Sequence, residues 1–163
     1  FAIVVGAPVT EEIAFRGWLS GRLGHALAAL LLAIGVFAVP MLAGEEQAVV
    51  GFTAAIVLIV AAGAAILWGR RQTPMRWFAR EFPFIFWATA AVFALVHLIN
   101  FEQASLIVLL PLVLPQFVAG LMFGYVRVHY GLWAAMLLHA LHNGTAIAVV
   151  SSAEVLAYTG LGV

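Results

Sequence analysis

The sequence predicts an all-α membrane protein, a polytopic transmembrane helix bundle of about six spans with the first one truncated. Three observations predict it. Of 163 residues, 66% are hydrophobic and 9% charged, against about 45–50% and about 25% in a soluble domain. The mean hydropathy is +1.15, too high for a chain that must cover itself with polar surface in water. The apolar residues fall in runs of membrane-crossing length, without the period-2 alternation of barrel strands.

Five runs are complete, near 24–43, 48–68, 83–101, 105–127 and 132–151, each close to the ~20 residues that span a bilayer. A sixth, near 1–22, is entered part-way. Pro8 interrupts it, and Thr10, just ahead of Glu11 and Glu12, is placed to cap a new helical segment. The chain opens on Phe1 inside an apolar stretch, without an initiator Met or a signal-peptide layout. It reads as a single domain over 1–163, a fragment whose upstream helices are missing.

Composition excludes several functions. The seven cations are all Arg and the seven anions all Glu, for a net charge of 0. Nucleic-acid binding needs a basic excess and is not expected. Without Cys there are no disulfides, thiolate zinc sites or Cys nucleophiles. Without Asp there is no paired-aspartate intramembrane protease.

Charge also sets an orientation. Arg70, Arg71, Arg76 and Arg80 crowd one connection, Arg127 ends a run, and Arg16 and Arg22 fall on the same side. Glu45, Glu46, Glu102 and Glu154 fall on the other. The positive-inside rule puts the arginines in the cytoplasm. Segment 74–82 mixes Arg with Trp and Phe and reads either as a flat interfacial helix or as an ordinary loop. Small residues at i, i+4, Gly17/Gly21 and Gly120/Gly124, let helices approach closely.

Ionisable groups inside membrane helices are costly and therefore candidate functional residues. Glu12 and Arg16 are i, i+4 neighbours in the order that favours an ion pair. Glu11 points about 100° away and is left to work. His97 closes Phe93-Ala-Leu-Val-His97, and His139 and Asn143 share a face with His142 close by. Carboxylate, imidazole and amide on three helices are the set that peptide hydrolysis by activated water requires. Glu and His would equally hold a catalytic zinc, through Glu11, His97 and His139. The His-Glu-x-x-His and Gly-x-Ser-Gly motifs are absent, and Ser20 has the wrong spacing for a serine nucleophile.

Glu11-Glu12-x-x-x-Arg16, Phe93-x-x-x-His97 and His139-x-x-x-Asn143, in that order, resemble the CAAX-protease and bacteriocin-processing (abortive-infection) family of intramembrane proteases, which includes the CAAX prenyl endopeptidases. Ala7-Pro8 before the glutamates, Phe15-Arg16-Gly17 after them, and Gly120–Tyr130 running into Gly131-Leu132-Trp133 add to the likeness. The resemblance implies Glu11 as general base, His97 as its partner at the water, His139 and Asn143 as oxyanion stabilisers, and Glu12 and Arg16 as the supporting pair. It implies no cofactor, with zinc the alternative. The substrate it implies is a membrane-associated protein or peptide, prenylated or carrying a leader, met at a site opening toward the cytoplasm.

One departure stands out. The 80 residues from Gly17 to Val96 hold two extra spans where many members have a short connection. A non-catalytic scaffold or bacteriocin-immunity protein of the same fold is the competing reading, and a transporter using the same Glu and His is a third. Intact motifs speak against the scaffold, and the lack of inverted repeats against the transporter.

Overall fold

In the computed structural model, residues 2–35, 39, 47–100 and 106–159 are described, with side chains excepted at 99, 100, 106–110, 112 and 155–159. Among them every regular element is helical. A π-helical turn, Ala2–Gly6, leads into α1 (Ala7–Arg16) and then α2 (Leu23–Ala33). α3 (Ala48–Gly69), α4 (Arg76–Val96), a 3₁₀ turn (His97–Asn100), α5 (Leu106–Tyr130) and α6 (Leu132–Thr159) follow. Within α3, α4 and α6, the stretches Ala48–Gly69, Arg76–Val96 and Leu132–Glu154 are long and apolar enough to cross a membrane. At ~1.5 Å per residue, the 22 residues of α3 reach about 33 Å, the thickness of a hydrocarbon core.

The packing is inverted relative to a soluble protein. Small residues and three rings dominate the interior: Ala28, Ala62, Ala90, Ala135, Phe78, Phe93 and Phe123. Large aliphatic side chains such as Val49, Ile56, Val60 and Leu67 point outward, where lipid replaces water. Without a hydrophobic drive between helices, close backbone approach supplies the contact. α2 and α3 run antiparallel, with Gly24 against Ala65 and Gly69 at one end and Gly35 against Leu58 at the other. α4 and α5 meet through Gly120 on Ala90 and Phe93, and through Gly124 on Phe86. The Gly120/Gly124 pair thus packs as expected. Gly17 lies against Ala29, while Gly21 turns the chain at φ 67° over the Phe78 ring.

Three local expectations change. The run 1–22 is not one interrupted span but a π-turn, a ten-residue helix and a turn. Pro8 sits in the first turn of α1, where its missing N–H costs no hydrogen bond. Thr10 does not cap; its hydroxyl donates back to the carbonyls of Gly6 and Ala7. Segment 74–82 is neither a separate flat helix nor a loop, because α4 starts at Arg76 and runs on through Pro83. The run 24–43 is helical over Leu23–Ala33, and most of its second half, with Glu45, Glu46 and Glu102, lies outside the described residues.

The arginine-bearing connections gather at one end of the bundle. The Met75 amide donates to the Gly21 carbonyl, and Arg22 Nη1 to the Arg70 carbonyl. Arg127, in the last turn of α5, donates to the carbonyls of Arg16 and Gly17 at the end of α1.

A Cβ at Gly24 would stand 2.5 Å from the Ala65 carbonyl oxygen and 2.6 Å from Gly69 Cα, both backbone atoms. Gly24→Val should therefore destabilise the α2–α3 pair by about 1–3 kcal/mol, read as a lower thermal unfolding midpoint in detergent. Gly63→Ala, where a Cβ meets nothing within 4 Å, should leave the midpoint unchanged or raise it slightly.

Candidate active site

α1 carries two adjacent carboxylates into different surroundings. Glu12 is fully buried, and its Oε1 accepts Arg16 Nη1 at 2.6 Å, one turn along the helix. The Arg16 guanidinium is equally buried and lies 4.1 Å from the centre of the Phe93 ring. Its other end reaches the Gly120 carbonyl at 3.4 Å. The charge is thus met by a carboxylate, an aromatic face and a carbonyl dipole, which the planar, multi-donor fork of a guanidinium can reach at once.

Glu12 Oε1 also faces His139 Nδ1 at 3.0 Å. A carboxylate only accepts, so Nδ1 carries the hydrogen. The imidazole is held as well by its stack on Phe123, with ring centres 4.4 Å apart and planes 20° apart, and by the edge of Phe93. His139 is 2% exposed.

His97 is positioned by a helix stop. α4 ends at Val96, and the His97 amide bonds the carbonyls of Ala94 and Leu95. The Phe93 carbonyl accepts His97 Nδ1 at 2.8 Å instead. Nδ1 therefore carries the hydrogen here too, and Nε2 points away from α4.

Both Nε2 atoms meet the same group. Glu11 Oε2 is 3.8 Å from His97 Nε2 and 3.8 Å from His139 Nε2. That oxygen is shielded from solvent and makes no hydrogen bond among the described residues. At 3.8 Å the groups are too far apart for direct hydrogen bonds and spaced to share one water at about 2.8 Å from each. Glu11, His97 and His139 thus converge from α1, the α4 terminus and α6, with Glu12 and Arg16 beneath them.

Asn143 does not join that cluster through its observed bond, since Nδ2 donates to the Ile3 carbonyl at 3.0 Å and ties α6 to the π-turn. His142 is exposed, against the edge of Phe123. The donor chemistry of Glu11 and the two imidazoles suits zinc, and each Nδ1–H already has the carbonyl or carboxylate partner that zinc-bound histidines have. As placed, no three such side chains among the described residues stand at metal-ligand spacing.

Sequence reasoning missed two residues. Phe123 orients His139, but nothing separates it from the other Phe residues in the sequence. Arg127 read as part of a connection, although an Arg in the last turn of an apolar helix signals an anchor. Ser20 Oγ and His25 Nδ1 pair at 2.8 Å, with no carboxylate on His25 among the described residues.

A protein-family model, that of type II CAAX prenyl endopeptidase Rce1-like proteins, matches residues 1–75 and 69–145. No curated protein and no solved structure matches the chain.

Removing Arg16 would leave Glu12 as an uncompensated buried charge. Arg16→Ala should cost about 3–5 kcal/mol, visible as a large drop in the detergent unfolding midpoint or loss of folded protein. Arg16→Lys keeps the charge without the planar stack and should fall between that variant and wild type.

Proposed function

The chain belongs to the Rce1-like family of type II CAAX prenyl endopeptidases, and from that premise we propose that it is an intramembrane endopeptidase in which Glu11 activates water. The observation that carries this reading is the convergence of Glu11 Oε2 with the two Nε2 atoms.

The chemistry follows from the proton positions. A water between Glu11 and His97 gives a proton to the Glu11 carboxylate as its oxygen attacks the peptide carbonyl carbon. His97 Nε2, fixed as an acceptor, orients that water. The oxyanion needs a donor, and His139 supplies one when Nε2 also carries a proton. Asn143 keeps one amide hydrogen on Ile3 and lends the other to the oxyanion. The proton held by Glu11 then passes to the leaving amine. Each oxyanion donor contributes about 3–4 kcal/mol in comparable sites. If zinc were bound, Glu11, His97 and His139 would hold it and the metal would polarise the water.

The substrate class follows from what adjoins the site. A cavity of about 520 Å³ between α5 and α6 is lined by Leu114, Val118, Met122 and Leu138 and reaches Phe123 and His142. Such a groove accepts an apolar chain from the bilayer, which supports a membrane-associated peptide, prenylated or leader-bearing, as substrate. The arginine-rich end faces the cytoplasm in this reading.

The test is cleavage of a peptide library, with and without prenyl groups, by purified protein in liposomes. Glu11→Gln should lower turnover by about 10²–10⁴-fold while the unfolding midpoint stays near wild type. Unchanged turnover in that variant would end the peptidase reading. EDTA or phenanthroline should leave the wild type active. Loss of activity restored by zinc would assign the site to a metallopeptidase. No cleavage of any peptide by a folded wild type would favour the scaffold.

A further inference from the structure

A second cavity, of about 450 Å³, opens among α1, α2, α3 and α6 and is closed at one end by α5. It lies against another face of α1, at Ile13 and Gly17, away from Glu11. Its wall has two halves. Along the helices it is apolar, with Ala28, Ala29, Leu32, Ile66, Leu132 and Met136. At the arginine-rich end it carries Arg70, Arg127 and His25.

The cationic half is only partly offset: Glu12 acts on Arg127 electrostatically but is itself paired with Arg16. No carboxylate lines the cavity, and among the described residues only Arg16 and Arg80 have carboxylate partners. Arg22, Arg70 and Arg127 all act on His25 electrostatically. Arg22 stays beside Arg70 through its bond to the Arg70 carbonyl. Arg127 uses Nε and Nη2 on the end of α1, which leaves Nη1 available. Arg70 and Arg127 in the wall, with Arg22 tied to the Arg70 carbonyl beside it and no carboxylate in the lining, form a site for an amphiphile with an anionic head.

We propose that this cavity binds one anionic phospholipid, its phosphate held by Arg22, Arg70 and Arg127 and the start of an acyl chain laid along Ala28, Leu32 and Met136. From His25 to Leu32 the α2 face runs about 10 Å, so an acyl chain leaves the charged mouth directly into apolar surroundings. Basic pockets between membrane helices recognise anionic headgroups on these terms. The site rests on the chain's place in a membrane and not on Glu11, so failure of the peptidase reading would leave it standing.

The experiment is native mass spectrometry, with parallel thermal melts, on protein returned to nanodiscs of phosphatidylcholine with or without phosphatidylglycerol. Wild type should retain one phosphatidylglycerol and melt higher with it. Arg70→Gln, whose side chain makes no hydrogen bond or ion pair among the described residues, should bind it about fivefold more weakly, the equivalent of about 1 kcal/mol. Arg71→Gln removes the same charge from an exposed neighbour outside the cavity and should bind as wild type. Leu32→Trp, which fills the apolar wall, should also lose the lipid. Equal weakening by Arg70→Gln and Arg71→Gln would reduce the effect to general surface charge and overturn the site. Equal retention of phosphatidylcholine, or the same melting shift with inorganic phosphate alone, would overturn it as well.

Discussion

The geometry of the candidate site depends on the ion pair of Glu12 and Arg16, both sealed from solvent. A buried pair of this kind adds little net stability, but losing either partner is expensive. It therefore acts as a constraint on geometry. Arg16 has to find Phe93 and Gly120 as well as Glu12, which brings α4 and α5 against α1. Glu12 has to share its Oε1 with His139, which brings in α6. Four helices are thus registered by one charge pair, and Glu11, the next residue, is delivered to the place where two imidazoles meet.

The close approach this requires comes from glycine and alanine. α5 lies near enough to α4 for the Gly120 carbonyl to reach Arg16 because residue 120 has no side chain facing Phe93 and Ala90. Phe93 then takes part in every layer. Its face receives Arg16, its edge meets Phe15 and His139, and its carbonyl holds His97. A membrane interior has no water to satisfy stray polar groups, so the aromatic and carbonyl contacts around these charges set the geometry in which they are tolerated.

Much of this was legible in the sequence, where the physics is local. Run length and composition indicate the helices, and i, i+4 spacing indicates the Glu12–Arg16 pair. The separation of Glu11 from Glu12 follows from the 100° step of a helix. The rest depends on tertiary placement. No periodicity shows that α4 stops at Val96, since Leu98 and Ile99 continue the apolar run. The position of Asn143 under Ile3 requires the π-turn, which arises from the chain ahead of Pro8. Arg127 reads only as the charged end of an apolar run until the carbonyl end of α1 is seen beside it.

The stop of α4 at Val96 has a consequence for the ring at residue 97. The last turn of a helix leaves its carbonyls without amide partners and carries the negative end of the helix dipole. Nδ1–H of His97 meets one of these carbonyls, that of Phe93, and Nε2 keeps its lone pair toward Glu11. His129 makes the same bond to the Tyr125 carbonyl inside a continuing helix, so the bond alone does not set residue 97 apart. What does is the partial negative charge of a helix end gathered around one imidazole, which holds its ring hydrogen on the side away from the carboxylate.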